Sequence, residues 1–179
     1  MKKKAAVCAC LVSLCSWAVA PARAWGPLGH KVVVRIAQSR LNPRALQAVQ
    51  ALLGGPGHDL QESVNCPDGI LHTTATLQCA TFTLDPAGFK HTGPWHYIDI
   101  PRTADPSLSL STFCPEAKSC VTEQIRTQAA ILKNAPPSVT VAQKQVALML
   151  LVHFMGDVHQ PLHAADDDDR GGNAKKLTF

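Results

Sequence analysis

Residues 146–163, which read VALMLLVHFMGDVHQPLH, decide the fold predicted for this chain. Positions 146–155 are apolar except for His153, a pattern typical of a helix that is buried on all sides. His153 and Asp157 are four residues apart, so on a helix they project from one face, about one turn apart. Taken alone, His153 is typical of a hydrogen-bonded core histidine. The buried pair needs partners, however, and therefore favours two ligands of one cation.

The sequence around this helix predicts further helices and little strand. Thr140 and Gln143 form a capping box that begins the helix itself. Three earlier helices are predicted: one after residues 25–30 (WGPLGH), with Val33, Val34, Ala37 and Leu41 facing inward; one beginning at Asn42 and Pro43 and ending at residues 54–57; and one capped by Ser119 and ending near Asn134. Residues 58–90 are predicted to be a long irregular loop, and the strand candidates are residues 81–84 and 97–100. The predicted fold class is therefore mainly α, a single-domain multi-helix fold.

The first 24 residues have the features of a signal peptide. Lys2, Lys3 and Lys4 precede an apolar stretch, and residues 22–24 (ARA) form a cleavage signal. The apolar stretch is too short for a good membrane span. We therefore expect an exported protein, periplasmic or secreted, without a membrane anchor, whose mature domain covers residues 25–179.

Removal of this segment changes the charge of the chain. Lys2, Lys3, Lys4 and Arg23 account for four of the 17 basic residues, so the 13 that remain equal the 13 acidic ones. A basic surface for nucleic acid is not indicated by charge alone. All eight histidines lie in the mature part.

Four cysteines remain after the signal peptide, and an exported protein favours disulfides. Three pairings are possible. We favour Cys114 with Cys120, which closes a short loop, and this leaves Cys66 with Cys79. A zinc site built on these cysteines is the weaker alternative, because neither pair has the required spacing.

Several residues are candidate partners for His153 and Asp157. After cleavage, the free α-amino group and carbonyl oxygen of Trp25 can chelate an ion together with His30, although Trp25 also has the simpler role of packing against the first helix. Asp68 lies in a turn-like Cys-Pro-Asp-Gly stretch, and His96 lies between two aromatic residues. His163 follows Pro161 and can fold back towards the same pocket. Nitrogen and oxygen ligands without thiolate suit zinc, and a shared carboxylate favours a cluster. Adjacent zinc ions activate water and neutralise phosphate oxygens, which indicates phosphoester hydrolysis.

These motifs resemble a known family. WGPLGH at the mature start, WHYIDIP at residues 95–101, the short cysteine loop, VHFMGDVHQPLH at residues 152–163 and DRGGN at residues 169–173 are similar, in order and spacing, to the zinc-dependent single-strand-specific nucleases of the S1/P1 type. That family shares its mainly α fold with zinc phospholipase C and uses three zinc ions. The family usually has Trp-Ala-Asp where this chain has residues 66–68 (CPD).

The resemblance implies a role for each site residue. Asp68, His96, His153 and Asp157 would hold one zinc ion; Trp25, His30 and Asp157 a second; and His163 would be the first ligand of a third. Asp68 would also be the catalytic carboxylate that handles protons, and Asn173 would contact the scissile phosphate. The ligands of two ions are visible in this sequence.

Three functional hypotheses follow. The first is an exported, monomeric zinc endonuclease that hydrolyses single-stranded DNA or RNA, with or without 3′-nucleotidase activity. The second is a zinc phospholipase C, whose substrate would require apolar interfacial loops. The third is an inactive zinc-binding remnant, because the chain ends at Phe179 before the residues that would complete the third site, and we expect the domain to be truncated at its C-terminus.

Overall fold

The computed structural model describes residues 26–114, 119–169, 171 and 174. It confirms a mainly α fold. Within these residues the α-helices are α1 (Pro27–Ser39), α2 (Pro43–Leu53), α3 (Cys66–Leu71), α4 (Val121–Asn134) and α5 (Val141–Val158), and the strands are β1 (Leu77–Cys79) and β2 (Phe82–Leu84). Short 3-10 helices lie at Leu60–Glu62, Pro86–Gly88, Gly93–His96, Leu110–Phe113 and Pro161–His163.

Local capping explains where two of the helices begin. The Asn42 side chain accepts a hydrogen bond from the Ala45 amide at 2.9 Å, and α2 starts with Pro43. Thr140 and Gln143 form the predicted capping box at the start of α5. The expected cap of α4 by Ser119 is wrong, because Cys120 holds the N-cap position and makes no side-chain capping bond.

The centre of the fold is α5. Met149, Leu150 and Phe154 pack into one apolar cluster with residues of α3, the two strands and the start of α4. Leu148 packs into a second cluster with residues of α1 and α2. The helix thus contributes to both halves of the core, which explains its apolar sequence. Among the residues that the structure describes, no helix has the length and apolarity needed to cross a bilayer.

The segment 58–90 is more ordered than the sequence predicts. It contains α3 and an antiparallel hairpin in which Leu77 pairs with Leu84 and Cys79 with Phe82. The strand predicted at residues 81–84 is confirmed as β2, whereas residues 97–100 form no strand. Residues at the inward face of α1 are His30 and Val34, while Ala37 is exposed.

Both disulfides have the pairing that the sequence favours, Cys66 with Cys79 and Cys114 with Cys120. The first bond joins α3 to β1, and the second closes the loop that precedes α4. Cys79 and Cys120 are fully buried in the same apolar cluster. The bonds therefore connect short elements to the core around α5.

Candidate metal centre

The carboxylate of Asp157, which is 1% exposed, is contacted by four histidine rings. Its Oδ1 atom lies 3.1 Å from His30 Nε2 and 3.2 Å from His163 Nδ1. Its Oδ2 atom lies 3.0 Å from His96 Nδ1 and 3.1 Å from His153 Nε2. One buried carboxylate is therefore shared by rings from four separate segments of the chain.

Each ring is placed by its own element. His153 lies one turn before Asp157 on α5, as predicted, and His30 lies on the buried face of α1. His96 ends the 3-10 helix Gly93–His96. His163 ends the 3-10 helix that follows α5, which brings its ring back towards Asp157.

The turn that carries His163 is held by two hydrogen bonds. The Gln160 side chain, which is buried, accepts from the Leu162 amide at 2.6 Å. The Ile98 amide donates to the carbonyl of His163 at 2.9 Å. These two bonds hold the turn in place, so the ring of His163 lies beside Asp157, as the sequence suggests.

Asp68 adds a second carboxylate to this group. Its Oδ1 atom lies 3.4 Å from His153 Nε2 and 3.5 Å from His96 Nδ1. Asp68 lies in the first turn of α3, not in the isolated turn that the sequence suggests. The Cys-Pro-Asp stretch therefore places its carboxylate beside the same two rings.

The spacing of His96 Nδ1, His153 Nε2 and Asp157 Oδ2 fits three ligands of a tetrahedral metal ion, and Asp68 lies beside the two rings. Ligand atoms bound at about 2.0–2.1 Å in a tetrahedron are about 3.3 Å apart. The contacts among His96, His153, Asp157 and Asp68 that are given above run from 3.0 to 3.5 Å, and His96 Nδ1 lies 3.0 Å from His153 Nε2. His30, Asp68 and His153 form a second group whose ligand atoms lie within 4.8 Å of one another.

The tautomer of His153 strengthens this fit. Its Nδ1 atom lies 2.7 Å from the carbonyl oxygen of Val64, which can only accept, so Nδ1 carries a proton. In the neutral ring Nε2 is then an acceptor, and it faces the oxygen atoms of Asp157 and Asp68. Acceptors that converge in a buried space require a cation between them, either a proton or a metal ion.

The pKa values reflect the same requirement. Burial by itself lowers the pKa of His153, but its hydrogen bonds to Asp157 and Asp68, and their charges, outweigh burial and raise the pKa to about 9. Burial raises the pKa of Asp157, yet the four histidine rings around its carboxylate, His153 first among them, hold the pKa well below the usual range. The pKa of Asp68 is lowered in the same way, mainly by His153 against the effect of burial. Without a metal ion, the cluster thus holds a proton on His153 and keeps both carboxylates ionised.

A cavity of about 620 Å³ opens beside the cluster. Its wall includes Asp68, His96 and His163, so these three residues face open space while His30 and His153 lie behind them. The exposed ring of Tyr97 also lines the cavity.

Sequence reasoning missed the acidic residues of this cavity. Asp99, Asp166 and Asp168 lie in its wall, although residues 166–169 read as a solvated loop. Burial, together with the charge of Asp166, raises the pKa of Asp99. The sequence signal that could have identified Asp99 as a cavity residue is its position three residues after His96.

The structure thus brings together six of the predicted site residues: His30, Asp68, His96, His153, Asp157 and His163. Trp25 and Asn173 lie outside the described residues. His159 does not join the cluster, because it is exposed and its Nδ1 atom contacts the carbonyl of Met155 at 2.6 Å.

The fold and the site together define a class: a mainly α protein with a buried histidine–carboxylate cluster that can bind a metal ion. Comparison with known proteins identifies the family. The model of the S1/P1 nuclease family matches residues 25–179, and the chain belongs to that family.

Curated relatives agree with this result. Endonuclease 2 of Arabidopsis thaliana is 32% identical over 158 residues, which is 83% of this chain and 48% of the relative. Nuclease S1 of Aspergillus oryzae is 29% identical over 87% of this chain and 49% of its own length. Nuclease P1 of Penicillium citrinum is 27% identical over 87% of this chain and 52% of its own length. The chain therefore spans about half the length of the curated relatives it matches.

Proposed function

We propose that this chain forms the metal centre of an exported zinc-dependent endonuclease that hydrolyses phosphodiester bonds in single-stranded DNA or RNA. The observation that carries the proposal is the Asp157 carboxylate shared by four histidine rings within 3.2 Å. Family membership adds the reaction class, because the relatives are named as nucleases and endonucleases. A 3′-nucleotidase activity at the same site is included in the proposal.

The proposed ligands divide into three groups around Asp157. Asp68, His96, His153 and Asp157 would hold one zinc ion. The spacing of the His96, His153 and Asp157 ligand atoms supports this, and Asp68 Oδ1 lies 3.4 Å and 3.5 Å from the two rings. Trp25 and His30 would hold a second ion together with Asp157, and His163, which lies 3.2 Å from Asp157 Oδ1, would contribute to a third. Each oxygen atom of Asp157 is contacted by two histidine rings. This arrangement suits a cluster of ions better than a single ion.

Zinc, when bound, supplies positive charge for the phosphate oxygens and lowers the pKa of water. The protein's own residues hold the geometry and move protons. The lowered pKa of Asp68 keeps its carboxylate ionised, and its half-exposed side chain faces the cavity, so it can accept a proton from an entering water molecule. His153 and Asp157 are buried and act as fixed ligands.

The cavity supports a nucleotide as the substrate. Its volume of about 620 Å³ lies within the range of small-molecule sites. The ring of Tyr97 at its wall provides a face on which an unpaired base can stack. Asn173, at residues that resemble the family's phosphate contact, is the proposed partner of the scissile phosphate.

Export and a monomeric state complete the proposal. Residues 1–24 are the proposed signal peptide, and residues 25–179 the proposed nuclease domain. Two disulfides support export, because such bonds persist in oxidising compartments.

The test is zinc analysis of the purified mature chain combined with digestion of single-stranded DNA, double-stranded DNA, RNA and a 3′-mononucleotide. We expect bound zinc, cleavage that favours single strands, and loss of both on chelation. A chain that binds no zinc, or that cleaves no phosphodiester when loaded, contradicts the proposal.

A second preparation tests the N-terminal ligand. A methionine retained before Trp25 displaces the α-amino group, so one zinc ion should be lost while the site at His153 stays occupied. Phosphatidylcholine in mixed micelles is the counter-substrate, and its hydrolysis in place of nucleic acid would favour a phospholipase C.

A further inference from the structure

Asp68 is the most exposed member of the cluster, and it lies on a short helix. Its side chain is 47% exposed, whereas that of His163 is 16% exposed and that of Asp157 is 1% exposed. It lies on α3, which has only six residues and whose N-cap, Asn65, makes no side-chain capping bond. A helix of this length is not stable by itself in water. The position of Asp68 must therefore be set by contacts of α3 with the rest of the fold.

The Cys66–Cys79 disulfide bonds α3 covalently to β1. Cys66 is the first residue of the helix, two positions before Asp68, and Cys79 is the fully buried last residue of β1. The bond therefore ties the end of α3 that carries Asp68 to a strand. Ile70, which is 1% exposed, packs the rest of the helix into the core.

The hairpin to which α3 is tied is itself anchored. Thr81, in its turn, donates a hydrogen bond from Oγ1 to the carbonyl of Leu53 at the end of α2, at 2.8 Å. Leu84 of β2 is buried in the same apolar cluster as Phe154 of α5. The hairpin is thus fixed both to α2 and to the core around the central helix.

Close packing between α3 and β1 adds to the disulfide. A Cβ atom built on Gly69 would stand 3.2 Å from Leu77 Cδ2, so the two elements are in tight contact one residue after Asp68. Movement of α3 relative to the hairpin would change the position of Asp68 relative to the rings of His153 and His96.

We propose that the Cys66–Cys79 disulfide is a positioning element for Asp68. It holds α3 against the hairpin so that Asp68 Oδ1 stays 3.4 Å from His153 Nε2 and 3.5 Å from His96 Nδ1. The proposal rests on the proposed function in one respect, the role of Asp68 as a metal ligand. Loss of the hydrogen-bonded groups that orient metal ligands typically costs about 10–100-fold in metal affinity, and we expect a loss of similar size where the disulfide orients Asp68.

The test is a double-mutant cycle on metal affinity. Zinc and cobalt titrations are made on the full chain, on Asp68→Asn, on the pair Cys66→Ala/Cys79→Ala, and on all three changes together. We expect the cysteine pair to weaken metal binding about 10–100-fold and to give the cobalt absorption spectrum of Asp68→Asn. In the Asp68→Asn background the cysteine pair should cause no further loss, because the two changes act through one ligand.

The second disulfide provides the matched control. Cys114→Ala/Cys120→Ala also removes a bond with a buried cysteine of the same apolar cluster, so it should lower the melting temperature. We expect it to leave metal affinity and the cobalt spectrum unchanged. A purely structural role of the Cys66–Cys79 bond would make the two pairs behave alike.

Two results would overturn the inference. One is unchanged metal affinity in the folded Cys66→Ala/Cys79→Ala variant. The other is a triple variant whose loss of metal affinity equals the sum, in free energy, of the losses caused by Asp68→Asn and by the cysteine pair. If the Cys66→Ala/Cys79→Ala variant does not fold, Cys66→Ala/Cys79→Val, which retains more of the buried volume, takes its place under the same criteria. These readouts need no nucleic acid. A chain that binds metal normally but cleaves nothing contradicts the proposed function and leaves the inference standing.

Discussion

Gly156 allows the ring of His30 to lie against α5, and its replacement by alanine tests the geometry of the cluster. A Cβ atom at this position would stand 2.9 Å from Cδ2 of His30 and 3.5 Å from its Nε2 atom. The ring has little room to retreat, because it stacks on His153 with centroids 4.1 Å apart and is 1% exposed. The substitution therefore displaces the ring of a proposed metal ligand.

The two effects of this substitution have opposite signs. Alanine in place of glycine inside a helix stabilises a protein by about 1 kcal/mol when space is free. Here the carbon–carbon contact must open from 2.9 Å to about 3.5–4.0 Å. Overpacking of this kind costs about 1–3 kcal/mol. We therefore expect a net destabilisation of up to about 2 kcal/mol. At about 2–4 °C per kcal/mol, the melting temperature should fall by several degrees.

The site should respond more strongly than the fold. A shift of roughly 0.6–1 Å in the ring would lengthen the contact of His30 Nε2 with Asp157 Oδ1, now 3.1 Å, beyond hydrogen-bonding distance. We expect the ion assigned to His30 to be lost or weakened about tenfold or more, while the site at His153 and His96 is retained. The assays are thermal unfolding of the metal-free chain and zinc counted per chain.

Gly88→Ala is the matched control. No atom lies within 4 Å of a Cβ built at Gly88, and its backbone is not left-handed. It should leave both stability and zinc content unchanged. A Gly156→Ala chain that gains about 1 kcal/mol, as helix propensity alone predicts, and keeps its full zinc content would refute the reasoning.

Two further predictions concern the shared carboxylate and its pH dependence. Asp157→Asn should remove zinc from the whole cluster. It should also destabilise the metal-free chain by about 3–5 kcal/mol, because a buried charged ring loses its partner. Zinc analysis and denaturant unfolding measure the two effects, and the control is His159→Gln at an exposed residue, which should change neither. In the metal-free chain, the raised pKa of His153 contributes stability that is fully present below about 6.5 and is lost as the pH rises through about 9. The lowered pKa of Asp157 contributes stability above about 4 that is lost in more acidic solution, so unfolding free energies should be highest between these limits. His153 and the proposed Trp25 α-amino group, whose ordinary pKa is about 8, must both lose a proton to bind metal. Zinc binding at pH 7 should therefore release about two protons, and about one when a methionine is retained before Trp25. Calorimetry of the retained-methionine chain, in buffers of different ionisation enthalpy, that finds no release would contradict the raised pKa of His153.

Local sequence patterns predicted the parts of this fold that depend on neighbouring residues. The i, i+4 spacing placed His153 and Asp157 on one face of α5, where their atoms lie 3.1 Å apart. Asn42 and Thr140 marked helix starts because a capping side chain bonds to amides only two or three residues away. The same reasoning failed for Ser119, whose capping position is held by Cys120.

Segments with weak periodicity were predicted poorly. Residues 58–90 have no clear repeat, yet they form α3 and the hairpin, because the disulfide, the core contact of Ile70 and the bond from Thr81 to α2 hold them in place. Residues 97–100 have strand-like composition, but their pairing with residues 163–166 is limited to an isolated parallel bridge, with the Ile98 amide donating to His163 and the Asp166 amide donating to Ile100. Strand formation depends on a partner that composition does not reveal.

The sequence by itself determined the central helix, the pair on its face, the pairing of the cysteines that we favoured, and, through its motifs, the family. No local pattern placed His30, 127 residues away in the chain, or His96, 61 residues away, at the carboxylate of Asp157. The family resemblance implied these contacts, and the tertiary structure brings the residues together. Only the tertiary structure decided that Asp99 and Asp166 face the cavity. Local patterns report contacts within a few residues, whereas a metal centre is assembled by the packing of distant segments around one buried group.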